Sequence, residues 1–388
     1  MPNSTGRRRR FGSVRKLPSG RFQARYLGPD GLERTARETF ANKSEANSWL
    51  SEVETDLARG DWRDPLAGAV NFTLYAETWI NERDLGATTE ELYRRLLRLH
   101  LAPVFGVWNL DEISAPRVRA WRTDLLATGK ATTTAKAYRL LKTILGTAVE
   151  DELLRRNPCR IKGAGKENAK ERGVASIEQV LQLAHRMGPR WQLLVFMAAF
   201  MALRPEELAE LRRPDIDRAR GVVWVRRAAP ELCNGKRVVG DPKSKAGKRS
   251  VVIPPEILPD IDHHLALYAS PEPDGLVFLG ERGAPFRRST FGRKWRKART
   301  ELGMPDFRLY DSRHTGNTLA ANTGASLADL MAHMGHASVR AAMIYQHATA
   351  EQQRKIADGI SAAVVDIRSR RRKTLPSLAA SAERREEV

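Results

Sequence analysis

Tyr310-Asp311-Ser312-Arg313-His314-Thr315, then Met334-Gly335-His336, then Ala341-Ala342-Met343-Ile344-Tyr345-Gln346-His347: this succession near the C-terminus decides how the chain is read. An Arg, a His and a Tyr at such intervals in a very basic chain point to phosphate chemistry. The tyrosine is then the nucleophile, and the Arg and His bind the non-bridging phosphate oxygens. Far upstream stands a second arginine, in Ala202-Leu203-Arg204-Pro205-Glu206-Glu207-Leu208.

Local sequence explains how these side chains are held. Pro205 suits the first turn of a helix, where a missing N–H costs little, and Glu206 and Glu207 favour the helix dipole there. Arg204 is therefore expected just before a helix start. The competing reading is a structural arginine paired with one of those glutamates. Arg313 stands in a similar setting, with Asp311 or Ser312 as the expected N-cap. Ser326 is expected to cap a helix over 327–333, with Asp329 in its first turn. Gly335 is placed to end that helix, which fixes His336 just beyond it. Ser338 can cap the helix that carries Tyr345. A tyrosine on a helix is most often a core residue, and a histidine most often a satisfied one. It is their conjunction with two arginine boxes that points to a site.

Sixty-six Lys and Arg against 46 Asp and Glu give a net charge of +20 over 388 residues, with a pI near 10.4. Such an excess points to a polyanion, most often nucleic acid. The charge is uneven: residues 1–26 hold eight basic side chains and no acidic one, and Arg368 to Lys373 form a second cluster. The two cysteines, Cys159 and Cys233, lie in no metal-ligand or redox spacing, which fits reduced intracellular thiols. The apolar run Trp191 to Leu203 is too short to span a bilayer and reads as a buried helix. The basic N-terminus has no apolar core region, so no signal peptide is expected. A cytoplasmic, nucleoid-associated protein follows, with no membrane partner.

The chain is expected to be multidomain, mainly α with small β-sheets. Residues 1–60 combine a basic arm with a small sheet and a helix. Alternating polarity around Gly28-Pro29-Asp30-Gly31 predicts a hairpin, and Lys43 to Arg59 has helical spacing. Gly60 to Val70 reads as a linker. Residues 71–156 predict a helical bundle with helices over 72–82, 88–101, 115–128 and 132–151, punctuated by Pro103, Pro116 and Gly129. Its many Lys and Arg fit a DNA-facing surface. Asn157 to Gly173, rich in Gly and Lys, reads as a second linker. Residues 174–360 form the largest unit, with helices at 176–187 and 190–203. Strands at 221–227 and 249–254 there enclose the loop Gly240-Asp241-Pro242-Lys243-Ser244-Lys245-Ala246-Gly247-Lys248. A charged tail occupies 361–388.

Taken together, these motifs resemble the tyrosine recombinases of the phage-integrase family. That family has a Leu-Arg-x-x-Glu-Leu box, matched by Leu203 to Leu208, then a lysine on a β-hairpin, then His-x-x-Arg-His, Leu-Gly-His and a tyrosine nine residues on. Arg313-His314, Met334-Gly335-His336 and Tyr345 follow the same order, with Tyr345 nine residues after His336. The match is close over 174–360. The two upstream units resemble more loosely the family's arm-type DNA-binding domain and helical core-binding domain. Two departures stand out. Tyr310 occupies the place of the family's first His, where a phenol can still hydrogen-bond the scissile phosphate. The hairpin offers both Lys243 and Lys245, and Pro242-Lys243-Ser244 resembles the family's Pro-Lys-Thr, which favours Lys243.

The resemblance implies a mixed α/β catalytic domain and a site-specific recombinase that integrates and excises a phage or mobile element. Its catalytic set is Arg204, Lys243, Tyr310, Arg313, His336 and Tyr345. Tyr345 attacks the DNA phosphodiester to give a 3′-phosphotyrosine, the arginines and His336 neutralise the phosphate, and Lys243 protonates the leaving 5′-oxygen. The implied partners are double-stranded attachment sites of core and arm type, three further copies of the chain in a synaptic tetramer, a host DNA-bending protein and an excisionase. No cofactor is implied: the phosphotyrosine keeps the bond energy, so ATP is not needed, and no acidic cluster at metal spacing calls for Mg²⁺. A zinc site from His333, His336 and His347 lacks a Cys or carboxylate to complete it. The competing readings are a DNA-binding regulator without chemistry and a type IB topoisomerase.

Overall fold

The computed structural model describes residues 10–167, 172–335 and 338–343, together with Asp358, Ser361 and Val365. Three of the sequence assignments, His336, Tyr345 and His347, lie outside the described residues, as do the arm before Arg10 and the basic cluster at 368–373. The chain divides into two compact units, Met1–Lys170 and Glu171–Val388. Among the described residues, no helix is long and apolar enough to cross a membrane.

The first unit holds two separate apolar cores. Strands β1 (Ser13–Lys16), β2 (Phe22–Leu27) and β3 (Glu33–Thr35) pair antiparallel in that order, with Ser13 opposite Arg25 and Arg25 opposite Thr35. Alternation along β2 turns Ala24 and Tyr26 inward, against Ala46 and Leu50 of helix α1 (Lys43–Arg59). Asn42 caps α1 by accepting the Glu45 N–H at 2.9 Å, and Gly60 closes it in the left-handed region at φ 76°. The hairpin forms at that turn, but its second strand is short: it breaks after Thr35 and returns as a bridge between Phe22 and Phe40.

Residues 61–70 are not a loose tether. Asp64 binds Arg34 at 2.7 Å, Trp62 donates to the Tyr26 hydroxyl at 3.0 Å, and Gly68 lies against Asp111 and the Leu153 carbonyl.

The second core is helical. It is built from α2 (Phe72–Asn81), α3 (Ala87–Leu96), a π-turn at Leu97–Leu101, α4 (Ala102–Phe105), α5 (Ala115–Ala127) and α6 (Ala131–Glu150). Phe72, Phe105 and Trp121 meet edge to face at its centre. The segment read as a second linker packs on α6 as far as Glu167. Cys159 and Ala164 are buried there, and the Ile161 N–H donates to the Tyr138 hydroxyl at 2.9 Å. Its Gly and Lys content reflects tight turns and an exposed outer side.

In the second unit, α7 (Ile177–Met187) starts at a capping box, Ser176 with Gln179. Helix α8 (Pro189–Phe200) is buried along almost its whole length and forms the centre of the core. The expected helix to 203 stops at Phe200, because Ala202 takes φ 49° and turns the chain. Met201 to Leu203 are apolar because this corner is buried, not because the helix continues. Next come α9 (Pro205–Leu208) and the antiparallel sheet β4 (Ile216–Asp217), β5 (Val222–Val225) and β6 (Arg249–Val252), with Val225 opposite Arg249. Helices α10 (Leu258–Leu267), α11 (Arg288–Glu301), α12 (Leu309–Asn322), α13 (Leu327–Met334) and α14 (Val339–Met343) complete the described chain.

One capping assignment is corrected. Helix α12 begins at Leu309, with Arg308 as its N-cap. Asp311 sits three residues in, and its carboxylate accepts the Arg308 N–H at 2.8 Å. The acid therefore stabilises the helix start from inside the first turn, and Arg313 lies within the helix rather than at its entrance.

Candidate active site

Both arginines of the sequence motif meet at the corner where α8 turns into α9. Arg204 is the N-cap of α9 with extended backbone, φ −74° and ψ 148°. Its N–H and its guanidinium both donate to the Glu207 carboxylate, at 2.9 and 2.6 Å. A second arm of the guanidinium donates to the Gly335 carbonyl at 3.2 Å. The pairing with a box glutamate, offered above as a competing reading, is real. It does not use up the residue: a guanidinium carries about five donors, and these contacts leave N–H groups for an incoming oxygen.

Arg313 comes to the same place from α12. It is 1 % exposed and donates to the carbonyls of Ala202 and Met334. The corner made by Ala202 thus has two effects: it sets Arg204 at a helix start and presents a carbonyl to Arg313. Burial, helped by the nearby charge of Arg204, lowers the Arg313 pKa to about 10, which keeps it charged at neutral pH. For Arg204, burial pulls the pKa down but the carboxylate of Glu207 outweighs it, and the net shift is upward.

The lysine loop reaches the same corner from β6. Lys243 and Lys245 are both exposed. Pro242 is buried against Gly247, where an added Cβ would stand 2.6 Å from the proline Cβ. Lys248 is held by Asp241 at 2.8 Å. Helix α13, capped by Ser326 through the Asp329 N–H at 3.2 Å, ends at Gly335 with φ 63°. A Cβ on Gly335 would lie 2.8 Å from the Ala246 carbonyl oxygen. This glycine is therefore required twice, for its left-handed backbone and for the approach of the loop. Tyr310, 43 % exposed at the start of α12, sets its ring edge to face against His314 at 5.4 Å.

Glu207, part of the Arg204 box, serves a second arginine as well, and that arginine, Arg249, gave no motif signal. Glu207, 2 % exposed, is the shared acceptor of Arg204 and of Arg249. Burial favours its neutral form, but Arg249 first and Arg204 next hold its pKa below the usual glutamate value. Arg249 opens β6 in register with the buried Val251. An arginine at an inward-facing strand position is the one sequence clue that could have found it.

Such a corner offers forked donors and an adjacent lysine loop, which suits binding and in-line displacement at a phosphodiester. Residues 174–352 match the model of the phage integrase family, and residues 10–59 that of the phage integrase N-terminal domain. A Mycobacterium tuberculosis protein named as a prophage phiRv2 integrase is 38 % identical over 358 residues, which is 90 % of this chain and 95 % of its own. The transposon Tn1549 integrase in complex with transposon right end DNA superposes with a TM-score of 0.65 at 19 % identity, over 75 % of this chain and all of its own. A lambda integrase tetramer bound to a Holliday junction superposes with a TM-score of 0.55 at 16 % identity, over 86 % of this chain and 94 % of its own.

Proposed function

This chain belongs to the phage integrase family and is a site-specific tyrosine recombinase, and from that premise we propose that it cuts and rejoins DNA attachment sites through a 3′-phosphotyrosine at Tyr345. The phenolic oxygen of Tyr345 bonds to phosphorus as the bond to the 5′-oxygen breaks. The electron pair of that bond leaves with the 5′-oxygen, which takes a proton from the ammonium of Lys243. The phenol proton passes to water. Arg204 and Arg313 give forked hydrogen bonds to the non-bridging oxygens, which a lysine could not reproduce, and His336 adds a third donor. Tyr310, beside His314, supplies a phenolic hydrogen bond to the same phosphate. Attack by the freed 5′-hydroxyl of a second duplex reverses the step and joins the new strands without added energy.

What supports this reading above all is the meeting of Arg204, Arg313, the lysine loop and Gly335 at a single corner. Exchange of two duplexes requires four strand cleavages and therefore four copies of the chain. Residues 1–60 would then bind distal arm-type DNA, 71–156 the crossover core and 174–360 the scissile phosphate, with 361–388 a charged tail. A host DNA-bending protein and an excisionase would set the direction, and the work would be done in the cytoplasm on nucleoid DNA.

A nicked attachment site tests this directly. Cleavage near the nick releases a short strand that diffuses away, so the covalent protein–DNA adduct accumulates. A tyrosine recombinase of this kind should show that adduct on denaturing gels. Tight, site-specific binding with no adduct would make the protein a DNA-binding regulator. Relaxation of any supercoiled plasmid, whatever its sequence, would make it a topoisomerase.

A further inference from the structure

Arg249 makes more contacts at the corner than either motif arginine, and the reaction as described gives it no task. Its side chain is 5 % exposed. It grips both oxygens of Glu207, each at 3.1 Å, and donates to the His333 carbonyl at 3.0 Å and to the Gly247 carbonyl at 3.1 Å. Its Cδ also lies where a Cβ on Gly335 would come within 3.0 Å. These four acceptors come from three separate segments. Glu207 belongs to the Arg204 box, Gly247 to the loop with the lysines, and His333 to the last turn of α13 before His336.

We propose that Arg249 is a positioning residue that fixes the lysine loop against the Arg204 box, so that the proton donor of that loop meets the leaving oxygen. The inference rests on the proposed roles of Arg204 and of a lysine at 243 or 245. The physical reason lies in the loop itself. Lys243 and Lys245 are exposed, and the segment from Asp241 to Lys248 has only a short 3₁₀ turn of its own. An amine on such a loop keeps its aim only if the loop is tied to the rigid elements beside the phosphate. The Gly247 carbonyl held by Arg249 supplies that tie, and Glu207 makes Arg249 and Arg204 share one anchor. A planar fork can serve four acceptors in fixed directions, whereas an ammonium is a point donor. Displacement of a catalytic group by about 1 Å costs roughly a hundredfold in rate.

The test compares two substrates on the same protein. One carries a normal scissile phosphate. The other carries a 5′-bridging phosphorothiolate, whose sulfur leaves as thiolate without needing a proton. The readout is the ratio of cleavage rates, sulfur over oxygen, for the full chain on a nicked attachment site. Any loss of folded protein cancels from this ratio, so a variant that folds poorly still reports. In R249K and R249Q the ratio should rise at least about tenfold, as general-acid contributions of 10²–10⁴ allow, and in K243A it should rise by at least as much. In R313K both rates should fall together and the ratio should stay put. An unchanged ratio in both Arg249 variants, beside a raised ratio in K243A or K245A, would make Arg249 a purely structural ion pair and leave the proposed function intact. A ratio unmoved in both lysine variants would remove the proton donor from this loop and overturn the positioning role along with it.

Discussion

At the scale of single residues, the two motif arginines carry the heaviest demand. Each preorganised donor of this kind is worth about 10²–10³ in rate, so R204K and R313K should each slow cleavage by at least two orders of magnitude while attachment-site binding persists. Near-normal single-turnover rates in either would reveal a structural arginine. Glu207 gives a prediction in pH. Its folded pKa is depressed from the ordinary 4.5, so it contributes stability above that value and loses it as pH falls through its own lower one. The melting temperature of the wild type should therefore exceed that of E207Q near neutrality, and the gap should close below about pH 4.5. A gap constant with pH would mean the carboxylate is not held ionised by Arg249 and Arg204. Sequence made Arg204, Gly335 and Ser326 legible because each stands at a helix end, where local chemistry dictates residue type. Arg249 was hidden because its four acceptors come from segments far apart in the chain.

Among elements, the crossing of α12 over α8 places Arg313. At Gly316 a Cβ would stand 2.2 Å from the Ala199 carbonyl oxygen and 3.2 Å from the Ala202 Cβ. The helices can approach this closely only because that position has no side chain, and Arg313 thereby reaches the Ala202 carbonyl. G316A should destabilise the protein by about 1–3 kcal/mol, the usual cost of overpacking, and lower the cleavage rate as well. An unchanged melting temperature would show that the crossing is looser than described. Helices with strong caps were legible to within a residue or two, as at α1 and α7. The end of α8 was not, since burial of a corner and burial of a helix leave the same apolar run. The start of α12 was displaced for a related reason: an acid can cap from outside the helix or from its third residue, and sequence alone does not choose.

For the whole molecule, the net charge of +20 and the separate N-terminal sheet carry the predictions. Deleting residues 1–60 should abolish binding to distal arm-type sites yet spare cleavage at the crossover core, as gel-shift and nicked-site assays would read. Unchanged affinity for full-length attachment DNA would contradict a separate arm-binding role. The packing of residues 61–70 and 157–167 was not legible, because Gly, Lys and Asp look alike in an ordered turn and a loose linker. The central claim is that this corner delivers a phosphate to one particular tyrosine. Its most direct test is to trap the covalent adduct on a nicked site, digest it and sequence the DNA-linked peptide by mass spectrometry. The nucleotide should be found on Tyr345, with no adduct from Y345F. A nucleotide on Tyr310, or an adduct that survives Y345F, would contradict that claim.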